Sequence, residues 1–358
     1  MRVLVTGHDG YLGAVLVPLL LERDHEAVGL DSGLFADCVF PAGAAPTAIP
    51  ELRCDLRDIE PDDLAGFDAV VHFAALSNDP LGNLDPALTT DINYTGALRL
   101  AELSKAAGVR RFLFSSSCST YGAAGDELLD ESAAFNPVTP YALEKVRLEQ
   151  ALAGLADQDF SPTYLRNATA YGLSPKLRLD LVLNNLVGWA VTTGRVLLLS
   201  DGTPWRPIVH VEDIARAFLC VLEAPRERIH DQAFNVGRSA HNYRIRELGE
   251  IVVETVPGSQ LTIAPGAGPD KRSYRVDFGK LEGAFPAWQP RWDARLAAQE
   301  LYDAYRAAGL VQADLEGPRY IRLRQLERLR ERGEVDEHLR FRPATTAAAA
   351  PALVGPRP

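Results

Sequence analysis

Short apolar runs alternate with longer amphipathic stretches through the first half of the chain. Arg2 to Thr6 (RVLVT), Ala27 to Leu30, Ala69 to Phe73 (AVVHF), Arg111 to Ser115 (RFLFS) and Thr163 to Arg166 read as strands. Between them, Tyr11 to Arg23, Leu88 to Ala107 and Tyr141 to Leu155 read as helices. Pro18 lies inside the first helix, removes one of its hydrogen bonds and should bend it. Asp24 stands where a helix end favours glycine. Strands alternating with helices of this length form βαβ units, so the expected class is α/β, a doubly wound parallel sheet covered on both faces.

Beyond residue 170 the rhythm loosens. Leu179 to Thr193 is helical, Arg195 to Leu199 strand-like, and Val211 to Glu223 a helix that opens near Glu212 and Asp213. Gly and Pro clusters at 256–269 and 285–290 mark loops. From 314 to 342 the charge is dense and mixed, which predicts a solvated helix with a narrow apolar stripe. The expected division is a first domain over 1–166, to which segments around 205–237 return, and a smaller α/β region over 167–342. An Ala/Pro-rich stretch over 343–358 reads as a disordered tail.

Composition narrows the function. With 358 residues, 47% apolar and 24% charged, the chain can build a sizeable core in at most two domains. No run of eighteen uncharged apolar residues occurs, and MRVLVTGHDG has no secretory pattern, so no membrane association is expected. Cysteines 38, 54, 118 and 220 form neither a C-x-x-C motif nor a metal-ligand pattern with the histidines. A reduced, cytoplasmic setting without a metal is expected. The net charge of −11 argues against a nucleic-acid partner but leaves room for a small anion at a helix N-terminus.

The first strand runs into T-G-H-D-G-Y-L-G, with Gly7, Gly10 and Gly13 three residues apart. A turn that brings backbone amides against a pyrophosphate and then opens a helix needs side-chain-free positions at such points. Asp31 ends the second strand, eighteen residues after Gly13. A carboxylate there accepts from ribose hydroxyls and repels a 2′-phosphate, which favours NAD over NADP. Asp55, in CDLRD, could meet the adenine or simply cap a helix. Tyr141 and Lys145 share one helix face, so an ammonium can stand beside a phenol and favour its ionised form. Ser117, 24 residues before Tyr141, lies at a strand's carboxyl end and can hydrogen-bond a reacting oxygen.

These motifs come in the company of HFAA at 72–75, Asn93, SSSCSTYG at 115–122, YALEK at 141–145, LRNATAYG at 165–172, RPIVHVED at 206–213 and FNVG at 234–237. Over about residues 1–280 the chain resembles the extended short-chain dehydrogenase/reductase family, in its branch of nucleotide-sugar epimerases and dehydratases. The resemblance implies a Rossmann-type NAD domain, a smaller nucleotide-sugar domain and hydride transfer at a sugar carbon. It implies catalytic roles for Ser117, Tyr141 and Lys145. In the glycine loop it implies cofactor contacts from Asp9, Tyr11 and Leu12 beside the three glycines. Further along it implies them from Asp31, Asp55, Leu56, Phe73, Ala74, Ala75, Asn93 and Ser115. A homodimer through the helices 88–107 and 141–155 is likewise implied only by the family.

Departures from the pattern narrow the reaction. The family's 4,6-dehydratases carry Asp and Glu after the catalytic hydroxyl; here Cys118 and Ser119 follow Ser117. A serine has no useful basicity at neutral pH, so a dehydratase on that plan is disfavoured, and a decarboxylase too. Cys118 is either a proton-transfer group at the substrate or a packed thiol. At the substrate end, Arg206 matches an arginine that pairs with the nucleotide diphosphate. Arg272 resembles a second such contact, or is a solvated surface arginine. Thr169 stands where relatives carry Asn, Asn167 being shifted by two, and Asn78 and Asp79 could reach the hexose or belong to a polar loop. His210 is expected to support its loop.

The leading expectation is thus an NAD-dependent nucleotide-sugar epimerase acting at C4 through a transient keto-sugar. A reductase or dehydrogenase of a nucleotide keto-sugar would use the same residues, and a non-catalytic NAD-binding regulator is a third reading.

Overall fold

The computed structural model of the chain describes residues 1–41, 45–123, 126–268 and 272–342; the Ala/Pro-rich stretch at 343–358 lies outside them. Seven parallel strands among the described residues form one sheet. They are β1 Arg2–Thr6, β2 Glu26–Leu30, β3 Glu51–Leu52, β4 Ala69–His72, β5 Arg111–Ser117, β6 Ser161–Asn167 and β7 Gln232–Val236. Their order is β7-β6-β5-β4-β1-β2-β3. The apolar runs are continuous rather than alternating because both sheet faces are covered. Val3 and Val5 enter one core with Leu16, Leu20 and Phe218, while Leu4 points the other way, into a core with Leu30, Leu100 and Leu148.

The chain leaves β1 toward β2 and β3, then crosses to β4 on the other side. This makes the carboxyl ends of β1 and β4 the topological switch point, where an open α/β sheet forms its ligand crevice. The helix Gly13–Glu22 keeps Pro18 inside it, and Asp24 adopts a left-handed φ of 59° just after it. The helix Pro140–Leu155 starts sharply: the Thr139 side chain accepts from the Ala142 amide, and Pro140 occupies the first turn, where no amide donor is needed.

Several boundaries differ from the sequence reading. The long helix expected over 88–107 is a composite of Pro86–Thr90, a π-helical turn at Asp91–Gly96, and Ala97–Ala106. Of the segments expected to return to the first domain, Gln232–Val236 joins the sheet and the helix Val211–Glu223 packs in its core, whereas Trp205–His210 pairs with Thr169–Tyr171 and Asn242–Arg244 in a separate three-stranded sheet. Part of the expected loop at 256–269 is a strand, Gln260–Ile263, paired with Arg195–Leu198. A third core, around Leu183, Leu186, Val252 and Leu301, holds this smaller region together.

The charged 314–342 segment departs furthest from expectation. It breaks into Gln312–Glu316 and Arg322–Glu331. Leu326, Leu329, Val335 and Leu339 enter the same core as Leu4, Leu30 and Leu56 of the sheet half. From Arg322 onward its apolar stripe packs on the sheet half, while Leu315 and Tyr320 just before it enter the third core.

Candidate active site

A cavity of about 890 Å³ opens at the switch point, between the sheet and the smaller region. Gly7 terminates β1 with φ +71°, and a Cβ there would lie 2.9 Å from the Ala74 amide nitrogen at the end of β4. Gly13 is packed from below: its Cβ would lie 2.3 Å from the Gly7 carbonyl oxygen and 2.5 Å from the His8 Cα. Only hydrogen fits at these two positions, so the loop presents bare backbone to the crevice at a helix N-terminus. Gly7, Gly10, Tyr11 and Leu12 line the cavity. Gly13 and Asp9 do not. Gly13 is the floor of the loop, and the Asp9 carboxylate is turned to Lys176 Nζ at 2.7 Å.

Asp31, Asp55 and Leu56 line the same end. The Asp31 carboxylate accepts from the Gly33 amide at 2.8 Å, and burial raises its pKa. Asp55 caps a short 3-10 turn, accepting from the Arg57 amide at 2.9 Å; burial opposes its charge, but the Arg57 guanidinium at 2.6 Å holds its pKa below the usual value. Phe73, Ala74 and Ala75 form the wall after β4. Asn93 does not reach the cavity. Both ends of its amide clamp the Leu76 backbone, at 2.8 and 3.1 Å, so any effect on a ligand passes through that wall.

Ser115, Ser117, Tyr141 and Lys145 converge at the centre of the crevice. Lys145 is buried, donates to the Ser115 carbonyl at 2.6 Å, and lies 5.6 Å from the Tyr141 ring centre. Burial drives its pKa down to about 7, against the pull of the Glu149 carboxylate one turn on. Burial pushes the Tyr141 phenol up to about 12, and Asp79 adds to this; Arg178 and a hydrogen bond with Ser117 act the other way. Arg178 thus joins Lys145 as a cation beside the Tyr141 phenol.

Beneath this group lies a buried network. The Arg166 guanidinium bonds the Glu149 carboxylate at 2.7 Å, Glu149 accepts from the Ser116 hydroxyl, and Arg166 reaches the Tyr121 hydroxyl at 3.0 Å. Cys118 belongs to this layer and not to the substrate wall, correcting its placement at the substrate. Its backbone turns inward after Ser117, its thiol donates to the Arg166 carbonyl at 3.1 Å, and burial pushes its pKa up. Ser119 does line the crevice, and its Oγ has no hydrogen-bond partner among the described residues.

At the far end stand Thr169, Arg206 and Arg272. Arg206 donates to the Arg272 carbonyl at 2.6 Å, and Arg272 pairs with Asp79 at 2.5 Å, which is therefore more than a polar loop residue. Asn78 lines the cavity but commits its amide to Asp180 at 2.8 Å and to the Leu81 N–H at 2.9 Å. His210 bonds Glu300 at 3.0 Å and stacks on Trp292, away from the cavity. Sequence reasoning missed Arg178, Asp180, Tyr274 and Arg322, all of which line the crevice. Arg178 and Asp180 form a buried pair at 2.8 Å; the signal available was a pair of opposite charges two apart in the apolar run LRLDLVL. Among the described residues no cluster of His, Cys, Asp or Glu could hold a metal, and no helix is long and apolar enough to cross a membrane.

The crevice thus fits a dinucleotide: a cradle that a Cβ would fill, an acid at the end of β2, and a hydroxyl–phenol–amine group facing it. Residues 3–237 match the model of the NAD-dependent epimerase/dehydratase family. The UDP-glucose 4-epimerase of Corynebacterium glutamicum is 30% identical over 332 residues, which cover 86% of this chain and 97% of that one. A solved structure of MoeE5 with UDP-glucuronic acid and NAD is similar at a TM-score of 0.74 and 26% identity, covering 86% of this chain and 100% of that chain. DesIV, a dTDP-glucose 4,6-dehydratase from Streptomyces venezuelae with NAD bound, gives 0.74 at 25% identity, covering 88% and 100%.

Proposed function

The chain belongs to the NAD-dependent epimerase/dehydratase family, and from that premise we propose that it is a nucleotide-sugar 4-epimerase. NAD is its cofactor; when bound, it supplies a reversible hydride acceptor and, oxidised, a positive charge beside Tyr141. The observation that carries the reading is the composition of the crevice centre. Ser117, Tyr141 and Lys145 face it, Cys118 is turned into the core, and the nearby carboxylates Asp79 and Asp180 are neutralised by Arg272 and Arg178. No acid–base pair follows Ser117 to expel water from the sugar.

In this reading Tyr141 removes the proton from the sugar's 4-hydroxyl and later returns it, while Ser117 holds that oxygen by a hydrogen bond. Lys145, fixed on the Ser115 carbonyl, orients the cofactor end of the group. Arg206 and Arg272 hold the sugar nucleotide's diphosphate, of the UDP-hexose class carried by the relatives' names, and leave the sugar free to present either face. The four free cysteines suit a cytoplasmic setting. Self-association through the helices ending at Ala106 and Leu155 would be read by sedimentation; the exposed Leu143 on the second supports it.

The test is incubation of purified protein with a panel of UDP-hexoses and no added cofactor. Interconversion of C4 epimers without net change at 340 nm is expected. Bound NAD with no epimer formed overturns the reading, and stoichiometric consumption of reduced cofactor assigns a reductase. Tyr141→Phe should lower turnover by about 10²- to 10⁴-fold and leave NAD affinity within about twofold, since the phenol oxygen touches the reacting oxygen rather than the dinucleotide's anchoring groups.

A further inference from the structure

Arg322 opens the C-terminal helix, well outside the span that carries the family match. Only 3% of it is exposed, yet it lines the cofactor crevice. One guanidinium nitrogen donates to the Lys176 carbonyl at 2.7 Å, and the group lies 5.0 Å over the Phe35 ring. The other terminal nitrogen, Nη1, is buried with no hydrogen-bond partner among the described residues. A charged donor left bare in a buried place is costly, so the arrangement is incomplete without an acceptor.

The surroundings say what that acceptor is. Arg178 and Asp180 cancel one another, as do Lys176 and Asp9. The adjacent Cys38 thiol is held neutral by burial. Among the described residues no carboxylate pairs with the guanidinium of Arg322. We propose that Arg322 binds the diphosphate bridge of the dinucleotide, closing over the side opposite the glycine loop. The inference rests on the cofactor assignment and not on the reaction.

Geometry places the contact on the cofactor rather than on the sugar nucleotide. Lys176, whose carbonyl Arg322 grips, reaches with its own ammonium to Asp9 inside the glycine loop. One turn along the helix, Gln325 bonds the Leu34 carbonyl at 3.2 Å, just after the end of β2. Arg206 and Arg272, the substrate-side arginines, stand on the smaller region. A planar guanidinium with one terminal nitrogen unpartnered among the described residues suits a phosphate oxygen.

The test titrates nucleotide-free full-length protein with adenosine, ADP-ribose and UDP, for the wild type, Arg322→Gln and Arg322→Lys. Loss of a charge-assisted bond should weaken ADP-ribose by about 10- to 100-fold in Arg322→Gln. Adenosine and UDP should stay within about twofold, and the lysine variant should recover part of the loss. Equal weakening of adenosine and ADP-ribose would show that Arg322 only shapes the pocket. Weakening confined to UDP would move the contact to the sugar nucleotide, and unchanged ADP-ribose affinity in both variants would end the proposal. None of these readouts needs turnover, so failure of the epimerase reading would leave them unaffected. Should Arg322→Gln not fold, Arg322→Lys, which keeps charge and stem, carries the comparison alone.

Discussion

Lys145 holds its charge in a place that offers it one carbonyl and a ring face. Because burial lowers its pKa from 10.5 to about 7, the unfolded chain binds one more proton than the folded one between those values. Stability must then rise with pH through that window, and the destabilisation is fully present below about pH 7. Tyr141 titrates higher, near 12, so over most of this range the cofactor-free site holds a neutral amine beside a neutral phenol. Urea unfolding of NAD-free protein should show the wild type gaining on Lys145→Met by on the order of 1 kcal/mol per pH unit from pH 7 to 10. A pH-independent difference between the two would contradict the buried-ammonium account. The same residue illustrates how an active site is kept at the expense of stability.

At the scale of elements, the Glu149–Arg166–Tyr121 network ties the helix Pro140–Leu155 to β6 and to the 3-10 turn after β5. Tyr141 sits on that helix and Ser117 immediately precedes that turn, so the network supports both from below. Glu149→Ala leaves Arg166 buried without its main partner, and a loss of about 3–5 kcal/mol in unfolding free energy is expected. Chemical denaturation measures it, and an effect under about 1 kcal/mol would show the pair to be dispensable. This layer was not legible in the sequence, since Glu149 lies 17 residues from Arg166 and no local period connects them. The glycine loop and the Tyr141–Lys145 pair were legible because each is complete within one turn or one helix face. The π-helical turn at Asp91–Gly96 escaped for a related reason: it adds a residue to one turn of a stretch whose apolar spacing still reads as helix. Arg178 and Arg322 come together only through the folding of distant segments, and a dense run of charges hid the second.

For the whole molecule, the decisive packing event is the return of the C-terminal segment to the sheet half. Leu326 is fully buried in the core shared with Leu4, Leu30 and Leu56. Leu326→Ala should lower stability by about 2–5 kcal/mol, as for other large-to-small changes in a packed core. It should also weaken NAD binding more than UDP binding, because the helix it anchors carries Arg322. Thermal shift with each nucleotide separates the two effects, and equal shifts would mean that the helix does not support the cofactor half. The seven-stranded sheet was foreseeable from its apolar runs; which late segments complete it was not, because partner choice across such sequence distances leaves no local mark.

Strand β7 completes the sheet with residues 232–236, and its cover comes from still later positions. A ribosome delivers these pieces long after the glycine loop has emerged. The nascent polypeptide thus carries an unfinished sheet edge until residue 236 and an uncovered leucine surface until residue 339 have emerged. A premature stop codon ahead of Arg322 would release a product with its nucleotide cradle in place and its hydrophobic seal missing, a natural client for chaperones and proteases.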